Sequence, residues 1–193
     1  MNRPVKAASD NLGGDEPSDV ELMARVKAGD QNAFVTIVRR YQNLLLNFFR
    51  CMGVYTDAED LAQETFVRLF KYRDRYEPRA RFTTFLYLLA RQVRVDMLRK
   101  TLRREAGMAS YLKETENAEP KRDPPADRFD AVRRALDTLP ETLRSVVVLS
   151  IYQELKYDEI AAILEIPVGT VKSRMFHALR KLREVIHEHG RSH

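Results

Sequence analysis

Between Glu105 and Arg128 the chain reads EAGMASYLKETENAEPKRDPPADR, and a helix cannot propagate through it. Apolar residues thin out, and Pro124-Pro125 removes two backbone donors and crowds the preceding turn. On either side Leu, Ala, Arg, Glu and Lys dominate, and no β signal of useful length occurs in 193 residues holding only seven glycines and eight prolines. The chain is therefore expected to be all-α: two small helical domains joined by a flexible linker. Their bounds are 18–102 and 129–188, with the linker at 103–128 and polar tails at 1–17 and 189–193. The second block is small, and a domain of about 60 residues buries only about 60% of its unfolded surface.

Local punctuation sets the helices. Ser18 and Glu21 form a capping-box pair, and Gly29 closes a short helix. A longer one, NAFVTIVRRYQNLLLNFFRCM, ends at Gly53, a residue suited to the left-handed C-terminal position. Thr56 and Glu59 repeat the box before a helix to Tyr72. Pro78 marks the loop RDRYEPRARF, and Thr83 or Thr84 is placed to cap a helix through Lys100. Helices near 129–138, 140–153, 157–164 and 167–188 build the second block.

Several classes of function are excluded by what the sequence holds. Cys51 is the one cysteine, so there is no disulfide framework or thiolate metal site, and its apolar neighbours mark a buried side chain. No apolar run reaches the roughly 18 residues a bilayer span needs, and the N-terminus lacks a signal-peptide core. A cytoplasmic protein without direct membrane insertion is expected. There is no P-loop, dinucleotide fingerprint, nucleophile elbow or zinc-protease motif, so no enzyme, catalytic residue or cofactor is expected. His187 and His189 lie in a terminal tail, and Asp57, Glu59, Asp60 and Glu64 spread around their helix, so no metal site is expected either.

Charge is unevenly distributed. The net charge is only +5, yet Arg73–Arg104 carries ten basic residues against three acids, and Thr170–Arg183 carries no acid. Clustered cations point to a polyanion, nucleic acid before membrane. At 100° per residue, Val168, Val171, Met175, Leu179 and Leu182 fall in one apolar stripe. Thr170, Ser173, Arg174, His177, Arg180 and Lys181 lie opposite, and Lys172 adds a further cation. An amphipathic basic helix straight after a short Pro-Val-Gly turn is the helix-turn-helix arrangement, whose second helix enters the major groove. Arg suits guanine edges; Lys and hydroxyls suit phosphates.

The stretch LPETLRSVVVLSIYQELKYDEIAAILEIPVGTVKSRMFHALRKLR resembles region 4 of the extracytoplasmic-function sigma factors, the bacterial RNA polymerase specificity subunits. The resemblance implies that the second motif helix reads the −35 promoter element and that this block meets the polymerase β-flap. Glu165 departs from the pattern, standing where the family commonly has a Gly.

The first block carries its own signature. In DAEDLAQETFVRLFKY, Ala62, Phe66, Leu69 and Phe70 form an apolar face while Asp60, Gln63 and Glu64 gather opposite, near Val67. An acidic and amide stripe in a basic protein suits a protein partner. The segment resembles sigma region 2.2, which implies that Asp60, Leu61, Gln63 and Glu64 dock on the β′ clamp helices of core RNA polymerase. RARFTTFLYLLARQVRVDMLRK resembles regions 2.3 and 2.4, which recognise and help open the −10 element. Holding a base out of the stack needs a cationic track and planar groups to stack on. Arg73, Arg75, Tyr76, Arg79, Arg81, Arg91, Gln92 and Arg94 are the candidates, while Phe82, Phe85 and Tyr87 are expected in the core. Partners implied by the resemblance are core polymerase, promoter DNA and an anti-sigma factor. The alternative is a stand-alone LuxR-type regulator, with which TVKSR is compatible but DAEDLAQE is not.

Overall fold

The computed structural model describes residues 16–108 and 134–190, with side chains described for 16–104 and 134–184. Every regular element among them is helical. Helix α1 spans Asp19–Lys27, and the Ser18–Glu21 box is formed: the Glu21 carboxylate accepts from the Ser18 amide at 2.8 Å while the Ser18 hydroxyl accepts from the Glu21 amide. Gly29 turns the chain at φ +90°, and Asp30 then caps α2 (Gln31–Cys51) by accepting from the amides of Asn32 and Ala33. Helix α2 buries Ala33, Ile37, Tyr41, Leu45 and Phe49 on one face, and Cys51 is buried as expected. Gly53 follows at φ +82°.

Helix α3 (Ala58–Lys71) starts differently from the expectation. Its cap is Asp57, with no side-chain cap bond, and Thr56 does not form a box with Glu59. The long α4 (Phe82–Met108) begins at Phe82, so Thr83 and Thr84 lie inside its first turn rather than capping it. It also runs to Met108, six residues into the segment read as linker; the rest of that segment lies outside the described residues.

The second block has a helical stretch at 134–137, then α5 (Glu141–Val147), which widens into a π turn over Val148–Tyr152. Helices α6 (Tyr157–Leu164) and α7 (Val168–Gly190) follow. Among the described residues no helix is long and apolar enough to cross a membrane.

The two blocks pack on each other. Helix α4 lies against α3 on one side and α6 on the other, the π turn touches α2, and one continuous apolar core runs from Leu22 to Ala178.

Candidate nucleic-acid and partner interfaces

The turn between α6 and α7 is built by Glu165, whose φ of 55° and ψ of 46° place a side-chain-bearing residue in the left-handed region. Its neighbour Ile166 donates back to the Ala161 carbonyl at 3.1 Å, and Thr170 donates to the Pro167 carbonyl, so one helix closes and the next opens within three residues. The glycine substitution noted in the sequence is thus accommodated, at the strain a Cβ brings to that conformation.

On α7 the buried stripe differs in register from the expected one. Val171, Met175 and Ala178 are buried, Val168 and Leu182 are half-buried, but Leu179 is 46% exposed. Ala178 takes the inward place because a methyl group lets the helix approach its neighbours closely, while Leu179 is rotated outward beside Phe176, itself 65% exposed. The polar face stands clear: Lys172, Ser173, His177, Arg180 and Lys181 are exposed, and Thr170 and Arg174 are half-buried. Arg174 lines a cavity with Arg91, Arg94, Ile163 and Leu164. Phe176 escaped the sequence reading, since periodicity alone cannot say which edge of an apolar stripe stays uncovered.

On α3, Asp60 and Gln63 are exposed, Val67 is 60% exposed beside them, and Glu64 is half-buried. Glu64 bonds Arg68 at 2.9 Å, and Arg68 reaches on to Asp96 of α4 at 2.7 Å. Burial draws the Arg68 guanidinium downward, but hydrogen bonds to Glu64 and Asp96 outweigh it and leave its pKa raised. Leu61, assigned to the edge of the docking stripe, is buried at 8% exposure and belongs to the core. Phe70 goes the other way: it is 41% exposed, edge-on to Phe34 and covered by the Arg73 guanidinium at 4.5 Å.

The structure does not gather the eight residues assigned to the −10 element on one free surface. Tyr76 is buried, packed on Phe82 and Phe85, because the loop folds inward at that residue. Arg73 and Arg75 stack on Phe70 and Tyr72. Arg79 and Gln92 are exposed. Arg81, Arg91 and Arg94 face the second block. Arg81 pairs with Glu159 at 3.6 Å, Arg91 with Glu165 at 2.8 Å, and Arg94 with Glu141 at 2.5 Å. Thr84 donates to Glu159 at 3.1 Å, and the Tyr87 hydroxyl donates to the Gln153 side-chain carbonyl. Burial pushes the Tyr87 phenol far above its ordinary range, so it remains a donor. Positions 81, 84, 87, 91 and 94 recur at intervals of three and four, one face of a helix. That spacing was visible in the sequence; what the face meets was not.

Two sequence families match in the same order as the two blocks. Residues 37–104 match Sigma-70 region 2, and residues 129–182 match Sigma-70 region 4. The ECF RNA polymerase sigma factor SigW of Bacillus subtilis (strain 168) is 31% identical over 176 residues, 85% of this chain and 94% of its own length. This chain belongs to the extracytoplasmic-function RNA polymerase sigma factors.

Other sigma factors of the family agree. The ECF sigma-E factor of Escherichia coli (strain K12) is 34% identical over 83% of this chain and 90% of its own. Among solved structures, CnrH in complex with the cytosolic domain of CnrY aligns with a TM-score of 0.67 at 25% identity, covering 88% of this chain and 97% of that one. RpoE of Bartonella quintana, bound to the anti-sigma factor NepR, shares the fold with a TM-score of 0.66. As a sigma factor the chain directs promoter-specific transcription initiation by RNA polymerase, and the LuxR-type regulator has no support.

Proposed function

We propose that this sigma factor divides promoter recognition between its two blocks, with α3 gripping the polymerase and α7 reading the −35 duplex. The observation that carries the division is the separation of two exposed stripes. Asp60, Gln63 and Val67 stand free on α3, while Lys172, Ser173, His177, Arg180 and Lys181 stand free on α7. The acidic stripe, with Glu64 behind it, suits the β′ clamp helices, and the cationic stripe suits phosphates and base edges. Arg174, whose guanidinium suits a guanine edge, reads a base; Lys172, Arg180 and Lys181 hold the backbone. For the −10 strand, Arg79 and Gln92 are available at once, and Arg81, Arg91 and Arg94 on release from their carboxylate partners.

Residues 18–102 and 129–188 act as the two grips, the second also meeting the β-flap, and the segment between them tethers one to the other. Tethering makes the second engagement intramolecular and raises avidity without new contacts. The chain adds no catalytic group; nucleotide chemistry stays with the polymerase, in the cytoplasm. An anti-sigma factor is the expected inhibitor, as for the RpoE relative solved with NepR.

The test is reconstitution. Purified chain is mixed with core polymerase at low salt, and the complex is challenged with promoter fragments carrying or lacking each element. Co-migration with core and element-dependent initiation are expected; failure to bind core in the absence of any inhibitor overturns the reading.

A further inference from the structure

The carboxylates that meet α4 come from separate elements of the second block: Glu141 opens α5, Glu159 lies in the first turn of α6, and Glu165 forms the α6–α7 turn. They meet Arg94 and Arg91 on one face of α4 and Arg81 immediately before it. Arg94 is 92% hidden by this arrangement, being only 8% exposed, and its Nη2 also reaches the Met52 carbonyl. Around this row sit the buried Tyr87–Gln153 bond and a second tie, Tyr55 to Asp137 at 2.7 Å.

Glu165 is the informative member. It holds a left-handed conformation that disfavours any residue with a Cβ, and a glycine there would relax the turn. The second such residue, Glu154 at φ 50°, makes no ion pair among the described residues. Unlike Glu154, Glu165 reaches across the seam, where its carboxylate holds Arg91 at 2.8 Å.

We propose that Glu165 and Glu141 form an internal anionic latch, holding the α4 arginines against the second block so that a single-stranded nucleic acid must displace these carboxylates to reach them. The latch shifts a closed-to-open equilibrium between the blocks. Its pairs are partly exposed, with Glu165 at 68% and Glu141 at 54% side-chain exposure, so salt weakens them. That nucleic acid is the displacing ligand rests on the sigma-factor reading; the latch itself does not.

The experiment uses the full chain in three forms: wild type, Glu141→Gln/Glu165→Gly, and Glu154→Gly as a control that removes comparable backbone strain without removing a carboxylate of the latch. Small-angle scattering at 50 and 500 mM NaCl reports closure, circular dichroism reports helix content, and anisotropy of a labelled −10-type single-stranded oligonucleotide reports access to α4. At low salt the double variant is expected to expand with unchanged helix content and to bind the oligonucleotide about tenfold more tightly, two partly exposed pairs together shifting the equilibrium by that order. Wild type is expected to approach the variant's dimensions at high salt, and Glu154→Gly to match wild type throughout. A double variant as compact as wild type, or a Glu154→Gly chain that opens equally, overturns the latch. Expansion of the double variant without a gain in oligonucleotide binding upholds the latch and removes the −10 assignment instead.

Discussion

The phenol of Tyr87 on α4 donates to the side-chain carbonyl of Gln153, which follows the π turn of the second block, and both side chains are buried. The π turn brings this about: the chain passes through Glu154 in a left-handed conformation, Leu155 donates back to the Leu149 carbonyl, and Gln153 is left pointing inward. A widened turn in a helix is a common place for such redirection.

Tyr87→Phe removes the donor and strands a buried amide oxygen. The full chain should lose about 1–3 kcal/mol of stability, measured by urea unfolding, because the stranded acceptor keeps its desolvation cost. Tyr87→Phe combined with Gln153→Leu should recover part of that loss, since neither partner is then left polar.

Asp60 is exposed and makes no ion pair among the described residues, whereas Glu64 is tied through Arg68 to Asp96. Asp60→Lys should therefore lower affinity for core polymerase by about tenfold with no change in melting temperature. Glu64→Lys should lower both, because it sets a like charge beside Arg68, the residue that bridges α3 to Asp96 of α4. Binding to an immobilised core, set beside a thermal melt, separates the two.

Arg174 and Arg180 are expected to fail in different ways. Arg174→Ala should cost about 1–3 kcal/mol at one −35 base pair and relax preference there, as loss of a bidentate base contact does. Arg180→Ala should weaken all sequences alike and reduce the salt slope by about one. Binding of a −35 duplex series at several salt concentrations distinguishes them, and uniform weakening by Arg174→Ala would make it a phosphate contact.

Glu21 accepts from the Ser18 amide and hydroxyl, and these bonds hold its carboxyl below the ordinary 4.5. The stability this lends α1 is fully present above pH 4.5 and is lost as pH falls through the depressed value of the folded chain. Carboxyl chemical shifts should give Glu21 a midpoint below 4.5. Ser18→Ala should bring that midpoint upward.

Much of this molecule was legible because its signals are local. Ser18 with Glu21, Gly29, Gly53 and the Pro167 turn each fix a helix end through bonds reaching three or four residues, whatever packs nearby. Thr56 and Thr84 look equally able to cap, yet neither does, because the start of α3 and of α4 follows the packing of Ala58 and Phe82 into the core.

Periodicity tells which residues share a face, and so it groups Asp60 with Gln63, and Ser173 with Arg180. It could not tell what each face would meet. Leu179 and Ala178 exchange roles, Leu61 turns inward and Phe70 outward, and Tyr76 is drawn into a ring cluster. The fate of Arg91 and Arg94 turns on carboxylates more than forty residues away in the chain. Helix ends and stripes arise from neighbours along the backbone and are written into the order of residues; burial and charge pairing depend on surfaces that meet only when the two blocks come together.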